Sequence, residues 1–234
     1  MAVTIIPVTG IGEVQPGDDV ATLIDEAVRA AGIDLVDGDV VVVTHKIVSK
    51  AEGQVIQLEH DGPDAHRHLI EQEAAAVIRR RGDLVIAVTR HGYICANAGV
   101  DRSNAGPEKA ILLPRDPDHS ANRIRLRLAR SHGVQIAVIV TDTFGRAWRR
   151  GLVDVAIGVA GMAAITDLRG TLDDHGHQLE VTEVALADEI AAAADLAIGK
   201  TSRNPVAIVR GVEWNPADTG VGPLLRPAPE DLFR

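Results

Sequence analysis

The stretch Val138-Ile-Val-Thr-Asp-Thr-Phe-Gly-Arg-Ala-Trp-Arg-Arg-Gly151 is the part of the chain from which the fold is best predicted. It continues an apolar, β-branched run, Val134 to Val140, which follows Gly133 and predicts a buried strand. The apolar residues give way to Thr141-Asp142-Thr143, so the strand is expected to end there, at a sheet edge. In open α/β sheets, ligands usually bind at such strand ends.

The polar residues of this stretch indicate a metal–nucleotide site. Asp142 and Thr143 offer the hard oxygens that Mg²⁺ or Mn²⁺ prefers. Arg146, Arg149 and Arg150 follow closely and are suited to phosphate or carboxylate. The ordinary alternative is a strand end, a turn and the start of a solvated basic helix. The residues of this stretch alone leave both interpretations open.

A second strand end carries basic residues. Val40 to Val43 is an unbroken β-branched run, which predicts a strand buried on both faces. The segment that follows, 44–53, contains His45, Lys46 and Lys50. Lysine as a point charge and histidine as a donor suit phosphate, although a surface turn with solvated lysines remains the alternative.

The segment 90–106 is rich in Gly, Ala and Asn, so the backbone can approach a ligand closely there. Asp101 and Asn104 are three residues apart and are expected to present oxygens together, unless Asp101 only caps a glycine-rich loop. Cys95 has no basic neighbour in sequence and is predicted to be a buried apolar residue.

The rest of the chain predicts a mixed α/β (α+β) fold. Helices are predicted at 20–31, 69–80, 120–131 and 184–197, and strands at 3–7, 55–58, 83–89 and 206–209. The small residues of 152–164 predict close backbone packing at a subunit contact. Residues 1–215 are expected to form one catalytic domain of two interleaved lobes, and the proline-rich 216–234 an arm or linker.

Composition excludes several classes of protein. The 234 residues are 46% hydrophobic and 24% charged, as in soluble globular proteins. A net charge of −9 argues against a general nucleic-acid binder. One cysteine excludes an intrachain disulfide and fits a reducing cytoplasm. The sequence shows no signal peptide and no apolar run of about 18 residues, so we expect a cytoplasmic protein without a membrane partner.

Three common site motifs are missing: G-x-x-x-x-G-K-[ST], G-x-G-x-x-G and G-x-S-x-G. A nucleotide would therefore bind in a site built from several separate strand ends.

Several segments together resemble the coenzyme F420:L-glutamate ligase family, over nearly the whole chain. The resemblance is carried by residues 43–53, 99–104, 140–149 and 181–196, with 7–10, 16–19 and 205–211 in support. Thr-Asp-Thr-Phe-Gly-Arg-Ala-Trp is its most specific part. The ending, 224–233, resembles the junction to a second domain in actinobacterial two-domain members. The resemblance implies a two-lobed fold in an intertwined homodimer.

The resemblance also implies the reaction. A family member joins L-glutamate by amide bonds to the coenzyme F420 precursor, adding a first residue and then γ-linked ones. The γ-phosphate of GTP activates a carboxylate as an acyl phosphate, which the glutamate amine then attacks. The implied cofactors are Mg²⁺ or Mn²⁺, with two divalent ions expected and K⁺ as an optional further ion.

Site residues are carried over from the resemblance by position. It implies Asp101, Asp142 and Thr143 as metal ligands, and Asp142 and Arg146 as catalytic residues. For GTP it implies the loop Ile11, Gly12, Glu13 and Val14, then His45, Lys46, Lys50 and Asn104, and the loop Gly199, Lys200, Thr201 and Ser202.

Two other functions compete with this one. The chain would act as a γ-glutamyl ligase on another acceptor, or as a nucleotide- or metal-binding sensor that has lost turnover. The retained Asp101, Asp142 and Thr143 argue against the sensor.

Overall fold

The computed structural model describes residues 2–60, 62–103 and 105–232, which form a mixed α/β fold, as predicted. The helices are α1 Val20–Ala30, α2 His45–Ala51, α3 Pro63–Glu73, α4 Pro117–His132 and α5 Leu186–Ile198. The strands are β1 Thr4–Val8, β2 Val40–Thr44, β3 Val55–Gln57, β4 Ala74–Arg81, β5 Leu84–Thr89, β6 Ile94–Ala96, β7 Lys109–Ile111, β8 Ala137–Arg146, β9 Arg149–Ala160, β10 Thr166–Asp167, β11 Glu183–Val184 and β12 Val206–Arg210.

The largest sheet has the strand order β1-β12-β2-β8-β9. Strands β2 and β8 run parallel with Thr44 opposite Thr141, whereas β12 is antiparallel to both β1 and β2. The run Val40–Val43 is fully buried, as its β-branched composition predicted. Helices α4 and α5 pack against β8 and β9, and α1 packs against α4.

The buried apolar residues described by the structure fall into two clusters. The larger surrounds the five-stranded sheet and its helices. The smaller lies beneath the β4-β5-β6 sheet and includes Leu69, Ile70 and Val85. None of the helices in the described ranges combines the length and apolar character needed to cross a lipid bilayer.

Two predicted element boundaries are wrong. Strand β8 does not end at Thr141 but continues to Arg146, because β9 pairs with it along its whole length. The turn of this hairpin lies between Arg146 and Arg149, so these arginines are not on a helix. Helix α3 ends at Glu73, and the following segment, predicted to be helical, is strand β4, paired with β5. A short apolar run is compatible with either a helix or a strand, and here the backbone pairing with β5 determines that it is a strand.

Small residues in 152–164 allow β9 and α4 to pack closely within the chain. A Cβ atom added at Gly158 would lie 2.5 Å from the carbonyl carbon of Pro117, at the start of α4. Residues 156–160 are all buried. The close packing is therefore confirmed inside one chain, and the subunit contact stays a prediction.

In the segment after residue 215, Val221 is buried against the body of the protein. Val221 is 4% exposed, and its N–H donates to Asp118 Oδ1 at 3.0 Å. The same carboxylate accepts from the N–H of Val159 on β9 at 2.7 Å. The predicted boundary between a catalytic domain and an arm at this point stays a prediction.

Candidate functional site

One edge of the main sheet gathers most of the predicted site segments. Because β1, β2 and β8 point the same way, the loop after β1, the start of α2 and the polar part of β8 meet at that edge. Strand β12 runs in the opposite direction, so the loop before it, 199–205, lies there too. The N–H of Thr44 donates to the carbonyl of Pro205 at 2.9 Å, which fixes this loop beside β2.

His45 is the first residue of α2 and is 2% exposed. Its Nε2 lies 3.2 Å from Asp142 Oδ1, at a distance but not an angle suitable for a hydrogen bond, and its Nδ1 lies 3.3 Å from Ser49 Oγ. The parallel pairing of Thr44 with Thr141 puts the two residues that follow them side by side. The imidazole is thus fixed against the Asp142 carboxylate.

Lys46 connects the same edge to the segment that contains Asp101 and Ser103. Its Nζ lies 2.7 Å from Asp101 Oδ2 and donates to Ser103 Oγ at 2.6 Å. The backbone N–H of Ser103 also donates to Asp101, at 2.6 Å. Burial acts to raise the pKa of Asp101, but Lys46 and Ser103 outweigh it and hold the pKa below the usual aspartate value. Asp101 is therefore an anion at neutral pH.

Lys50, one turn further along α2, reaches the predicted nucleotide loop. Its Nζ lies 2.5 Å from Glu13 Oε1, so the loop Ile11 to Val14 is joined to α2 by an ion pair. Val14 is buried, whereas Gly12 and Glu13 are exposed. Glu13, Val14 and Lys50 also line a cavity of about 390 Å³.

A carboxylate that the sequence analysis missed lies beside Thr143. Asp154 of β9 is 2% exposed and accepts a 2.5 Å hydrogen bond from Thr143 Oγ1 and a 3.3 Å bond from Thr141 Oγ1. Lys200 Nζ lies 3.1 Å from Asp154 Oδ1 and within hydrogen-bond distance of Thr143 Oγ1. An aspartate inside an apolar strand was the available signal, since such a group is buried only with partners.

Asp195 of α5 was also missed. Its Oδ1 lies 3.8 Å from Lys200 Nζ and is buried with no hydrogen-bond partner among the described residues. Burial raises the pKa of Asp195, the negative charge of Asp154 raises it further, and Lys200 partly opposes both. Lys200 therefore lies against two carboxylates and one hydroxyl group.

The remaining predicted residues are more scattered. Arg146 is exposed at the hairpin tip, where its guanidinium donates to the carbonyl of Arg150 at 2.7 Å. Gly199 caps α5 with a φ of 58°, and Thr201 is exposed. Ser202 Oγ donates to the carbonyl of Ile198. Asn104 lies outside the described residues.

Cys95 on β6 is buried, as predicted, and lies near the candidate site. Burial raises the pKa of its thiol to about 12, and the negative charge of Asp142 contributes in the same direction. A thiol with that pKa is not a nucleophile at neutral pH.

The donor chemistry of Asp101 and Asp142 suits a hard divalent ion, whereas the surroundings of Thr143 do not. Asp101 and Asp142 supply carboxylate oxygens beside adjacent residues of α2, which suits Mg²⁺ or Mn²⁺. At Thr143 the ammonium group of Lys200 already contacts the hydroxyl oxygen. Within the described part of the chain, no group of three His, Cys, Asp or Glu side chains is arranged to hold a metal.

A larger cavity, of about 710 Å³, contains none of the predicted site residues. It lies between α1, the end of α2 and α4, where its lining includes Asp19, Glu52 and Arg127. Arg127 and Asp19 form an ion pair of 2.9 Å, and Glu52 accepts from Ser120 Oγ at 2.5 Å. The predicted site residues therefore lie at the sheet edge and not in this groove.

Comparisons with known proteins show the family to which the chain belongs. Residues 10–211 match the model of a family described as F420-0:Gamma-glutamyl ligase. Three relatives are each named coenzyme F420:L-glutamate ligase. The protein of Methanothermobacter thermautotrophicus is 45% identical, with 100% of both chains aligned. That of Methanopyrus kandleri is 40% identical over 95% of this chain and 94% of its own. That of Archaeoglobus fulgidus is 38% identical over 100% of this chain and 97% of its own.

Proposed function

Because the chain belongs to the F420-0:gamma-glutamyl ligase family, we propose that it is a GTP- and divalent-metal-dependent ligase that adds L-glutamate to the coenzyme F420 precursor. The first glutamate forms an amide bond and later ones are γ-linked. A carboxylate of the acceptor takes the γ-phosphoryl group of GTP and becomes an acyl phosphate. The glutamate amine attacks that carbonyl, phosphate leaves, and the amine loses a proton.

The observation that carries this proposal is the parallel register of β2 and β8. It places Asp142 against His45, while the next residue, Lys46, contacts Asp101. Triphosphate and acceptor carboxylate are both anionic, so an active site that unites them needs cations at a place where water is largely excluded. Acidic metal ligands and basic phosphate ligands at one sheet edge meet that need.

The proposed roles follow from charge and position. Asp101 and Asp142 are the metal-ligand candidates, and a bound divalent ion would neutralise phosphate charge as the phosphoryl group moves. Thr143, which the resemblance also implied as a ligand, is in contact with Lys200 instead. Lys46 and Lys50 turn from their present partners, Asp101 and Glu13, to phosphate oxygens. His45 positions the Asp142 carboxylate. The remaining GTP contacts come from Ile11 to Val14, Asn104 and Gly199 to Ser202, and Arg146 acts from the hairpin.

We further propose that the active form is a homodimer. The tip of the β8–β9 hairpin exposes Trp148 by 85% and Leu152 by 68%, a large apolar area for a hairpin tip. Light scattering at micromolar concentration is expected to give about twice the 24.8 kDa chain mass. The matched variant Trp148→Ser/Leu152→Ser is expected to shift the mass toward the monomer. A monomeric wild-type protein would contradict the proposal.

Mass spectrometry tests the reaction directly. Purified protein is incubated with coenzyme F420 precursor, L-glutamate, GTP and Mn²⁺, and the acceptor is expected to gain mass in whole glutamate units. The gain should require GTP and should be lost with EDTA. An unchanged acceptor with GTP still bound would overturn the proposal and favour another acceptor or a sensor.

A further inference from the structure

Lys200 occupies a position built for a cation. Its Nζ contacts Thr143 Oγ1, lies 3.1 Å from Asp154 Oδ1 and lies 3.8 Å from Asp195 Oδ1. Asp154 is 97% shielded from solvent at its side chain, and Asp195 keeps a buried oxygen aimed at the same place. Two carboxylates and a hydroxyl group around one point form the kind of oxygen cage that binds a cation.

Asp154 also fixes how Thr143 presents its oxygen. The Thr143 hydroxyl donates its proton to Asp154 Oδ1 at 2.5 Å, so its lone pairs face away from that carboxylate. The Lys200 ammonium, which has only donors, takes this free side of Oγ1. Thr143 is therefore arranged to coordinate a positive charge, and Lys200 supplies it from within the chain.

We propose that Lys200 is the resident cation of this subsite and takes the place of a second divalent ion, so that each protomer uses one divalent ion together with the Lys200 ammonium. This rests on the proposed function. A divalent ion at Thr143 would lie at contact distance from an ammonium group, and two like charges at that distance repel strongly. The expectation of two divalent ions, drawn from the resemblance, therefore does not fit the groups around Thr143.

The position of Lys200 has a simple origin in the fold. Gly199 ends α5 at a φ of 58°, and the chain turns there toward the sheet edge. Asp195 lies one helical turn before this cap, and its carbonyl accepts the N–H of Gly199 at 2.8 Å. The lysine is thus directed at Asp154 by the cap of the helix that carries Asp195.

The test counts metal ions and not turnover. Protein is dialysed to equilibrium against Mn²⁺ and a non-hydrolysable GTP analogue, and the excess of each in the protein chamber is measured. Wild type is expected to hold one Mn²⁺ per protomer and Lys200→Ala two. Lys200→Arg, which keeps the charge, is expected to hold one. Arg169→Gln removes a positive charge from an exposed pair with Asp167 and is expected to match wild type.

The number of Mn²⁺ ions bound to each protein supports or overturns the proposal. Two ions on wild type, one ion on Lys200→Ala, or none on either protein would overturn the proposal. Circular dichroism of each variant shows that it is folded before its ions are counted. Failure of the proposed function would give a different result, because the GTP analogue would then show no excess in the protein chamber. The Mn²⁺ counts of wild type and Lys200→Ala would still decide the role of Lys200.

Discussion

Replacing Asp142 by asparagine is expected to lower kcat for glutamate addition by roughly 10³-fold or more, because it removes a charge from the place where phosphate charge must be neutralised. Asp142 is the carboxylate nearest to His45 and lies at the end of the parallel pairing of β2 with β8. A neutral amide coordinates a divalent ion far more weakly than a carboxylate does.

Asparagine keeps the shape of the side chain, so folding should be unaffected. The Asp142 Oδ1 atom accepts the N–H of Thr143 at 2.7 Å, and an amide oxygen accepts the same bond. The free energy of unfolding is expected to stay within about 0.5 kcal/mol of wild type. Loss of activity with retained stability would locate the defect in chemistry and not in the fold.

The measurement is steady-state kinetics at saturating GTP, acceptor and L-glutamate, with urea denaturation of the same samples. Asp167→Asn is the control, because Asp167 is an exposed carboxylate outside the site, and it should keep wild-type kcat. An Asp142→Asn enzyme that retains more than about a tenth of wild-type kcat would exclude Asp142 from the machinery.

The sequence predicts this edge of the sheet because two apolar runs change abruptly to polar residues. Val40–Val43 and Val138–Val140 are apolar runs, each followed by a threonine and then by His45 or Asp142. Short buried runs of that kind pair in sheets, and the contact of His45 with Asp142 follows if the two are parallel neighbours. The reaction, in contrast, came from the family resemblance and not from periodicity.

Asp154 and Asp195 escaped the sequence analysis for a physical reason. The polar triplet Thr141 to Thr143 looks like a strand end, yet backbone pairing with β9 continues through it. Only that pairing puts Asp154 opposite Thr143, eleven residues away along a hairpin. Asp195 comes near Lys200 through the end of α5, and packing of α5 against the sheet brings both to Asp154.

The second large effect concerns stability. Asp39→Ala is expected to lower the free energy of unfolding by about 2–3 kcal/mol and the Tm by roughly 5–10 °C. Asp39 has no solvent exposure and accepts two hydrogen bonds of 2.8 Å from Arg210, which joins the start of β2 to the end of β12. It also accepts the N–H of Val36 at 3.0 Å.

The expected loss of stability in Asp39→Ala depends on how well the remaining Arg210 guanidinium is solvated. Removing the carboxylate leaves the Arg210 guanidinium without its bidentate partner. The hydrogen bonds that Arg210 donates to Asp39 raise the pKa of Arg210, whereas burial acts to lower it. A fully buried broken pair costs about 3–5 kcal/mol. Because the Arg210 side chain is 35% exposed, water recovers part of that cost.

A second Arg–Asp pair, on the surface, separates the contribution of burial from that of the hydrogen bonds themselves. Arg169 also donates two hydrogen bonds to one aspartate, Asp167, at 2.8 and 2.6 Å, but on the surface. Asp167→Ala is therefore expected to leave the urea midpoint unchanged within error, since exposed ion pairs contribute little. Equal losses for Asp39→Ala and Asp167→Ala would contradict the argument, because they would mean that bond count and not burial sets the contribution. A larger loss of unfolding free energy for Asp39→Ala alone would show that the buried pair Asp39–Arg210 stabilises the contact between β2 and β12. Strand β2 leads into the candidate site.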